Sequence, residues 1–137
     1  MSLDEARIQR FLDGRDIVVL STVQPDGAPL AMPMWFLHDP VALTMISVAG
    51  TQKVRNLRRD PRACVVAEGG ARGDVRGVSV HGRVEFLADG PERRALAERF
   101  VEKYRPHLER RSGGRAMPPD RVMFRIVPSR VRSWGLD

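Results

Sequence analysis

The stretch VALTMISVAGTQKVRNLRRDP, residues 41–61, joins an apolar run to a short basic helix. The apolar run covers Val41 to Val48 and predicts a strand that ends at Gly50, where the helix begins. The first N–H groups of a helix have no intrahelical acceptor, and they lie at the positive end of the helix dipole. This junction therefore predicts a phosphate site. The alternative is a solvated basic helix over a sheet edge.

Lys53 lies in the first turn of that predicted helix, two residues after the hydroxyl of Thr51. Only two of the 23 basic residues are lysines, Lys53 and Lys103, and the others are arginines. A lysine ammonium is a compact point charge, whereas a guanidinium is a planar fork. The choice of lysine at this position favours a role in phosphate binding.

The composition is that of an ordinary globular protein, with 42% hydrophobic and 29% charged residues in 137. This length predicts one domain, residues 1–137, with one core. No apolar run approaches the ~20 residues that span a bilayer, and no signal peptide opens the chain. The single cysteine, Cys64, lies in an apolar run and has no intrachain disulfide partner. These features predict a cytoplasmic protein that does not bind membranes.

The formal net charge of +6 raises the question of nucleic-acid binding, but the distribution of charge argues against it. The arginines are spread from Arg7 to Arg132, and the few aromatic residues do not alternate with a basic patch as stacking platforms would. A small anionic ligand fits this basicity at least as well. Binding of duplex through residues 91–111 stays as a third hypothesis, which a steep salt dependence of affinity would support.

Hydrophobic patterning predicts an antiparallel β protein of about six strands with inserted helices. The Asp26-Gly27 pair supplies the positive φ of a tight hairpin turn. Helices are predicted from Asp4 to Leu12, after Gly50, and from Pro91 on, where Leu96, Phe100 and Tyr104 recur at helical spacing; residues 110–120 read as a surface loop. The predicted strands are Ile17–Val23, Pro29–Leu37, Val41–Val48, Arg62–Ala67, Val75–Leu87 and Val122–Val127, the last of which can continue to Trp134.

Two of the predicted strands are apolar on both faces, within Met32–Leu37 and Leu43–Val48. A sheet with one wet face does not need this pattern. We therefore expect the sheet to close into a barrel and its outer face to meet a partner subunit.

Hydrolytic, metal and nucleotide motifs are missing from the sequence. There is no G-x-S-x-G, H-E-x-x-H, Walker or dinucleotide-binding motif, and His38, His81 and His107 lack metal-ligand spacing. We therefore predict no metal site and no catalytic side chain. A phosphate site beside an apolar cleft suits a redox cofactor, which supplies its own hydride chemistry. The run Met32-Pro33-Met34-Trp35 could form the walls for its ring, or it could be plain core.

Five blocks of sequence, in this order, resemble the pyridoxamine 5'-phosphate oxidase-like split β-barrel family, and within it the branch of deazaflavin (coenzyme F-420)-dependent reductases. The resemblance extends from about Val18 to Trp134. Its most specific block is Thr51-x-Lys53 followed by Arg55-Asn56-Leu57. The five blocks are Asp26-Gly27-Ala28-Pro29, Pro33-Met34-Trp35-Phe36, Thr51 to Arg62, Arg76 to Arg83, and Ile126 to Trp134.

The resemblance implies a homodimeric, mainly β (α+β), antiparallel six-stranded split β-barrel with two cofactor clefts at the subunit interface. The family's phosphate-binding lysine corresponds to Lys53, its hydroxyl to Thr51 and its neighbouring basic position to Arg55, while Asn56 either assists or only caps and packs. Residues near Val78–His81 and Trp134 of the second subunit would close the cleft. The implied ring-lining positions are Met32, Pro33, Met34 and Trp35, with Ile46, Ser47 and Val48 beside them.

The chain departs from pyridoxamine 5'-phosphate oxidases proper in two places. Their ring-lining strand carries an arginine and ends in a lysine, whereas Ala31–Phe36 has no basic residue. Their C-terminal arginine-histidine motif is also missing, since the chain ends at Ser133-Trp134-Gly135-Leu136-Asp137. Oxidation of vitamin B6 is therefore not expected. FMN loses part of its phosphate clamp, which favours the acidic, glutamate-tailed deazaflavin F-420.

The leading hypothesis is an oxidoreductase that moves a hydride between reduced F-420 and an unsaturated or quinone-like small molecule. The alternatives are an FMN-dependent reductase of the same fold and a non-catalytic carrier or sensor that binds flavin, deazaflavin or haem. Titration of the apoprotein with FMN and F-420 separates the first two. Cofactor binding without reductase activity would indicate the third.

Overall fold

The computed structural model describes residues 1–136, which form three helices and one antiparallel sheet of seven strands. The helices are α1 (Ala6–Asp13), α2 (Gln52–Arg59) and α3 (Pro91–Ser112). The strands are β1 (Val18–Val23), β2 (Pro29–Met34), β3 (Leu37–His38), β4 (Leu43–Val48), β5 (Arg62–Glu68), β6 (Gly77–Phe86) and β7 (Arg121–Trp134).

Across the sheet, the strands follow the order β2-β1-β5-β6-β7-β4-β3. Its two edge strands, β2 and β3, are consecutive in the chain and are joined by only Trp35 and Phe36. Two edges linked by so short a connection must lie close together, so the sheet bends into a barrel. Strand β3 pairs with β4 through only Leu37 and His38, so the barrel is incomplete on the side of β3. The predicted split β-barrel is confirmed.

The sheet has seven strands rather than about six because the predicted strand Pro29–Leu37 breaks after Met34. The Phe36 N–H donates to the hydroxyl of Tyr104 at 2.9 Å, and the Phe36 carbonyl accepts from Tyr104 at 3.0 Å and from Lys103 at 2.9 Å. These backbone groups are thus satisfied by α3 and not by a neighbouring strand. After the break, only the two residues of β3 pair with β4.

The core lies on the inner face of the sheet and under α1. It contains Leu20, Val65, Val80, Phe124 and Ile126 from the strands, together with Ile8 and Leu12 from α1. Each large apolar side chain buried in this way contributes about 1.5–3 kcal/mol. The apolar patterning that predicted the strands therefore also placed the core.

Helix α3 forms a second apolar cluster against the outside of the barrel wall. Leu96, Phe100, Tyr104 and Leu108 are buried at i, i+4 spacing, as predicted for the first three, and they pack with Met123. The helix is kinked at Tyr104, where φ is −118° and ψ is 21°, two residues before Pro106. Proline removes one backbone donor and kinks a helix.

The surface loop predicted over Arg110–Asp120 begins later than expected, because α3 continues to Ser112. Gly113 ends it with a left-handed φ of 64°, and its N–H donates to the carbonyl of Leu108. Because of this extension, Arg111 belongs to α3 and lies over Trp35 at the barrel wall.

Candidate functional site

A cleft of about 470 Å³ lies between the barrel wall and the C-terminal half of α3. Its floor and one wall come from the end of β2 and from β4, and its other wall comes from α3 and the loop that follows. The lining residues are Ile17, Pro33, Met34, Trp35, Ile46, Ser47, Val48, Lys53, Phe100, Leu108, Arg111, Ser112, Arg115, Ala116 and Arg121.

Trp35 joins the two walls of the cleft. Its indole stacks on the ring of Tyr104 with 4.6 Å between centroids and 10° between planes, and it lies 5.7 Å from the ring of His107. The guanidinium of Arg111 lies over the same indole, 5.7 Å from its centroid. The aromatic stack fixes the position of α3 relative to the strand wall, so the width of the cleft is set by packing.

Lys53 enters the cleft from the first turn of α2, directly after β4. Its side chain is partly buried, and this burial lowers its pKa from the ordinary lysine value. Within residues 1–136 the ammonium makes no hydrogen bond and no ion pair. A desolvated cation without a counter-ion is a group ready to receive an anion.

The N-terminus of α2 is also open to an anion. Thr51 is the N-cap residue, yet its hydroxyl donates to the carbonyl of Val48 at 3.0 Å and does not cap the helix. That hydroxyl also lies 3.4 Å from the hydroxyl of Ser47. The first-turn N–H groups of α2 thus receive no capping bond from the Thr51 side chain, and they point the same way as the helix dipole.

The charged residues of the cleft are all basic. Lys53, Arg111, Arg115 and Arg121 line it, and none of the lining residues is acidic. Arg121 is paired with Val48 across β4 and β7, and its guanidinium forms an ion pair with Asp120 outside the cleft. With cations from α2, α3, a loop and β7 converging on one space, the cleft favours an anionic ligand.

Of the residues predicted for the site, seven line the cleft and five do not. Those that the structure brings together are Pro33, Met34, Trp35, Ile46, Ser47, Val48 and Lys53. Thr51 lies just behind them through its contact with Ser47. Met32 packs against the core on the inner face of the barrel.

Arg55 and Asn56 lie on α2 outside the cleft lining. The Arg55 guanidinium donates to the Gly50 carbonyl and to the side-chain oxygen of Gln52. Asn56 is fully buried, and its amide donates to the hydroxyl of Thr22 in β1 at 3.0 Å. The Asn56 contacts attach α2 to the barrel, so they position Lys53 without touching the cleft.

Trp134 lies at the end of β7, paired with Gly77, and its side chain is 45% exposed. It does not line the cleft of its own chain.

Neither metal-binding clusters nor membrane-spanning helices occur in the described part of the chain. Residues 1–136 contain no group of three or more His, Cys, Asp or Glu side chains that could hold a metal ion. In the same residues no helix has the length and apolar character needed to cross a membrane.

Comparison with protein families gives a match over nearly the whole chain. The family model of pyridoxamine 5'-phosphate oxidase matches residues 4–135. The chain belongs to the pyridoxamine 5'-phosphate oxidase family. This family includes oxidoreductases, and the match covers every strand of the barrel and all three helices.

Solved structures of similar fold agree with this family. The conserved hypothetical protein Rv2991 from Mycobacterium tuberculosis is 35% identical, with a TM-score of 0.77 over 99% of this chain and 86% of that one. A candidate pyridoxamine 5'-phosphate oxidase from Listeria innocua is 27% identical, with a TM-score of 0.73 over 93% and 94% of the two chains. An FAD-binding protein from Mesorhizobium loti shares the fold at 21% identity, with a TM-score of 0.74 over 91% and 87%.

For this pyridoxamine 5'-phosphate oxidase family protein, the α3 side of the cleft was not predicted from the sequence. It comprises Phe100, Leu108, Arg111, Ser112 and Arg115. The sequence predicts Phe100 on the apolar face of a helix and places Arg111 and Arg115 in the surface loop. The signal in the sequence was the spacing Phe100, Tyr104, Leu108 and Arg111, which continues one helix face to a cation. The aromatic partner of that cation, Trp35, is remote in sequence.

Proposed function

We propose that the protein is an oxidoreductase that binds a flavin-type cofactor in the cleft between β4 and α3, with the deazaflavin F-420 preferred over FMN. The observation that carries this proposal is the composition of the cleft, in which apolar strand walls meet four cations and no acid. Such a space suits a ligand that combines a flat ring with several negative charges.

The lining residues fit a ring and a phosphate at different ends of the cleft. Pro33, Met34 and Trp35 face Ile46 to Val48, and they offer apolar and polarizable surface to a ring system. The ammonium of Lys53 and the first-turn N–H groups of α2 are the groups that would hold a phosphate. We propose that Thr51 and Arg55, which lie beside Lys53 at the junction of β4 and α2, support the phosphate-binding end of the cleft.

The proposed division of labour leaves the redox step to the cofactor. A bound flavin or deazaflavin supplies hydride transfer. The lining contains no histidine, aspartate or glutamate. The side chains of this protein therefore bind and orient the ring, shield it from water and hold the anionic end, and the substrate class proposed is an unsaturated or quinone-like small molecule.

The preference for F-420 rests on the number and placement of the cations. FMN carries one phosphate, whereas F-420 carries a phosphate and a tail of glutamates. Lys53 and the first-turn N–H groups of α2 would hold the phosphate of F-420, and Arg111 and Arg115 on the opposite wall are then left for further negative charges. The strand Ala31–Phe36 has no basic residue to complete an FMN clamp.

A second copy of the chain is part of the proposal. The outer face of the sheet exposes Val19 and Val66, which are direct cross-strand neighbours and are 42% and 40% exposed. Val19 in turn neighbours Pro33, and the exposed Ile17 lies two residues before it, so this apolar surface runs into the cleft. We propose that the second copy covers it and brings its own Val78–His81 and Trp134 to the cleft.

Titration of the apoprotein with F-420 and with FMN tests the function. We expect F-420 to bind more tightly, and we expect Lys53→Ala to weaken it roughly tenfold to a hundredfold, because a charge-assisted hydrogen bond contributes about 1.5–3 kcal/mol. Unfolding in urea should be unchanged, since Lys53 has no protein partner in residues 1–136. FMN binding with no F-420 binding would replace the deazaflavin by FMN. Binding without turnover of any quinone or enone acceptor would make the protein a carrier.

A further inference from the structure

The cleft contains a second set of cationic groups, separate from Lys53, on the side formed by α3. Arg111 belongs to the last turn of the helix, and Arg115 follows it in the loop. Lys53 lies on the opposite side, next to the end of β4, where Arg121 pairs with Val48. The cations are therefore distributed over two walls.

Arg111 is held in a way that leaves its hydrogen-bonding edge free. Its guanidinium lies over the indole of Trp35, and it makes no hydrogen bond or ion pair with any residue from 1 to 136. The indole is itself fixed by its stack on Tyr104. A guanidinium that lies over an aromatic ring keeps its N–H groups directed outward in its own plane.

The ordinary role of an arginine in the last turn of a helix is to complement the helix dipole, and Arg110 can serve that role as well. Arg110 is exposed and lies 2.7 Å from Nδ1 of His107, and it does not line the cleft. Arg115 lies beyond the end of α3, and its side chain also has no partner in residues 1–136. Two unpaired guanidiniums that both line the cleft exceed what the dipole requires.

We propose that Arg111, supported by Arg115, is a specificity-determining residue that binds a carboxylate in the cleft while Lys53 binds the phosphate. The planar fork of arginine matches the two oxygens of a carboxylate, whereas the point charge of lysine does not need that geometry. This inference rests on the proposed function. The carboxylate has two sources, the glutamate tail of the cofactor and an acidic group on the substrate.

The test compares Arg111→Gln with Arg110→Gln, a matched control that removes the same charge from the same turn outside the cleft. Binding to both apoproteins is measured by isothermal titration calorimetry, which leaves Trp35 and Trp134 unchanged. We expect Arg111→Gln to weaken F-420 about tenfold and to leave FMN unchanged, because FMN has a phosphate and no carboxylate. Arg110→Gln should change neither affinity by more than about twofold.

The substrate arm uses cinnamate and methyl cinnamate as probes of the apoprotein. If the carboxylate belongs to the substrate, Arg111→Gln weakens cinnamate and spares its ester, while F-420 and FMN keep their affinities. Equal losses in the two arginine variants, or no loss in either arm, would overturn the assignment. Should neither cofactor bind the wild-type protein, the proposed function fails, and the cinnamate pair still decides the role of Arg111.

Discussion

At the scale of single residues, the decisive group is Lys53. It is the only lysine among the lining residues, in a chain with 21 arginines and one other lysine, and its partial burial lowers its pKa. A partly buried ammonium without a counter-ion is less stable than one in water, and a bound anion offsets this desolvation. This cost is a reason to expect that the ligand binds through Lys53 and that binding depends on its protonation.

We predict that affinity for a phosphate-bearing cofactor falls as the pH rises through the lowered pKa of Lys53. The anion binds the ammonium, so binding favours the protonated form, and deprotonation of the free protein opposes it. Fluorescence titration between about pH 7 and 10 measures this, in a range where the charge of a phosphate monoester or diester hardly changes. In Lys53→Arg the decline should vanish, since a guanidinium stays charged throughout. An identical slope in that variant would place the titrating group elsewhere.

At the scale of secondary-structure elements, the junction between β2 and β3 depends on α3. The backbone of Phe36 is satisfied by Tyr104 and Lys103, and the Lys103 ammonium lies 3.8 Å from the centroid of the Phe36 ring. Burial lowers the pKa of Lys103 to about 8 and raises that of Tyr104 to about 12. The helix thus fixes the point where the barrel turns from one edge strand to the other.

We predict that Tyr104→Phe lowers the free energy of unfolding by about 1–3 kcal/mol, because it leaves the buried N–H of Phe36 without an acceptor. The hydroxyl also donates to the carbonyl of Asp16 at 2.8 Å, so the start of β1 should loosen as well. Urea unfolding gives the energy, and hydrogen exchange at Phe36 locates it. A stability equal to wild type with protection retained at Phe36 would contradict this account.

The same junction marks the limit of prediction from sequence. Periodicity placed the long strands and the buried face of α3, because each depends on side chains close in sequence. It placed neither the break after Met34 nor the end of α3. The break depends on Tyr104, 68 residues from Phe36, and the added turn brings Arg111 to Trp35. Half of the cleft could be predicted because β4 and Lys53 adjoin in sequence, whereas the α3 half is created by tertiary contact.

At the scale of the whole molecule, the sheet leaves an apolar surface at the side of the cleft. Val19 and Val66 are neighbours on β1 and β5, and the same surface continues through Pro33 and Ile17 into the lining. A partner that covered this surface would also cover one side of the cleft. We therefore expect association and cofactor binding to be coupled, so that loss of one weakens the other.

The last prediction concerns this coupling. A lysine at Val66 places a charge in the proposed contact, and it should weaken the dimer roughly a hundredfold or more through lost apolar burial and desolvation of the ammonium. Val41→Lys is the matched control, because Val41 is 67% exposed on the turn between β3 and β4, away from that face. Analytical ultracentrifugation at micromolar concentration should find Val66→Lys monomeric and Val41→Lys dimeric. Cofactor affinity should fall only in Val66→Lys, although Lys53 is intact in both, if the second chain supplies part of the cleft as proposed. A monomeric variant that binds the cofactor as tightly as wild type would show that one chain completes the site alone.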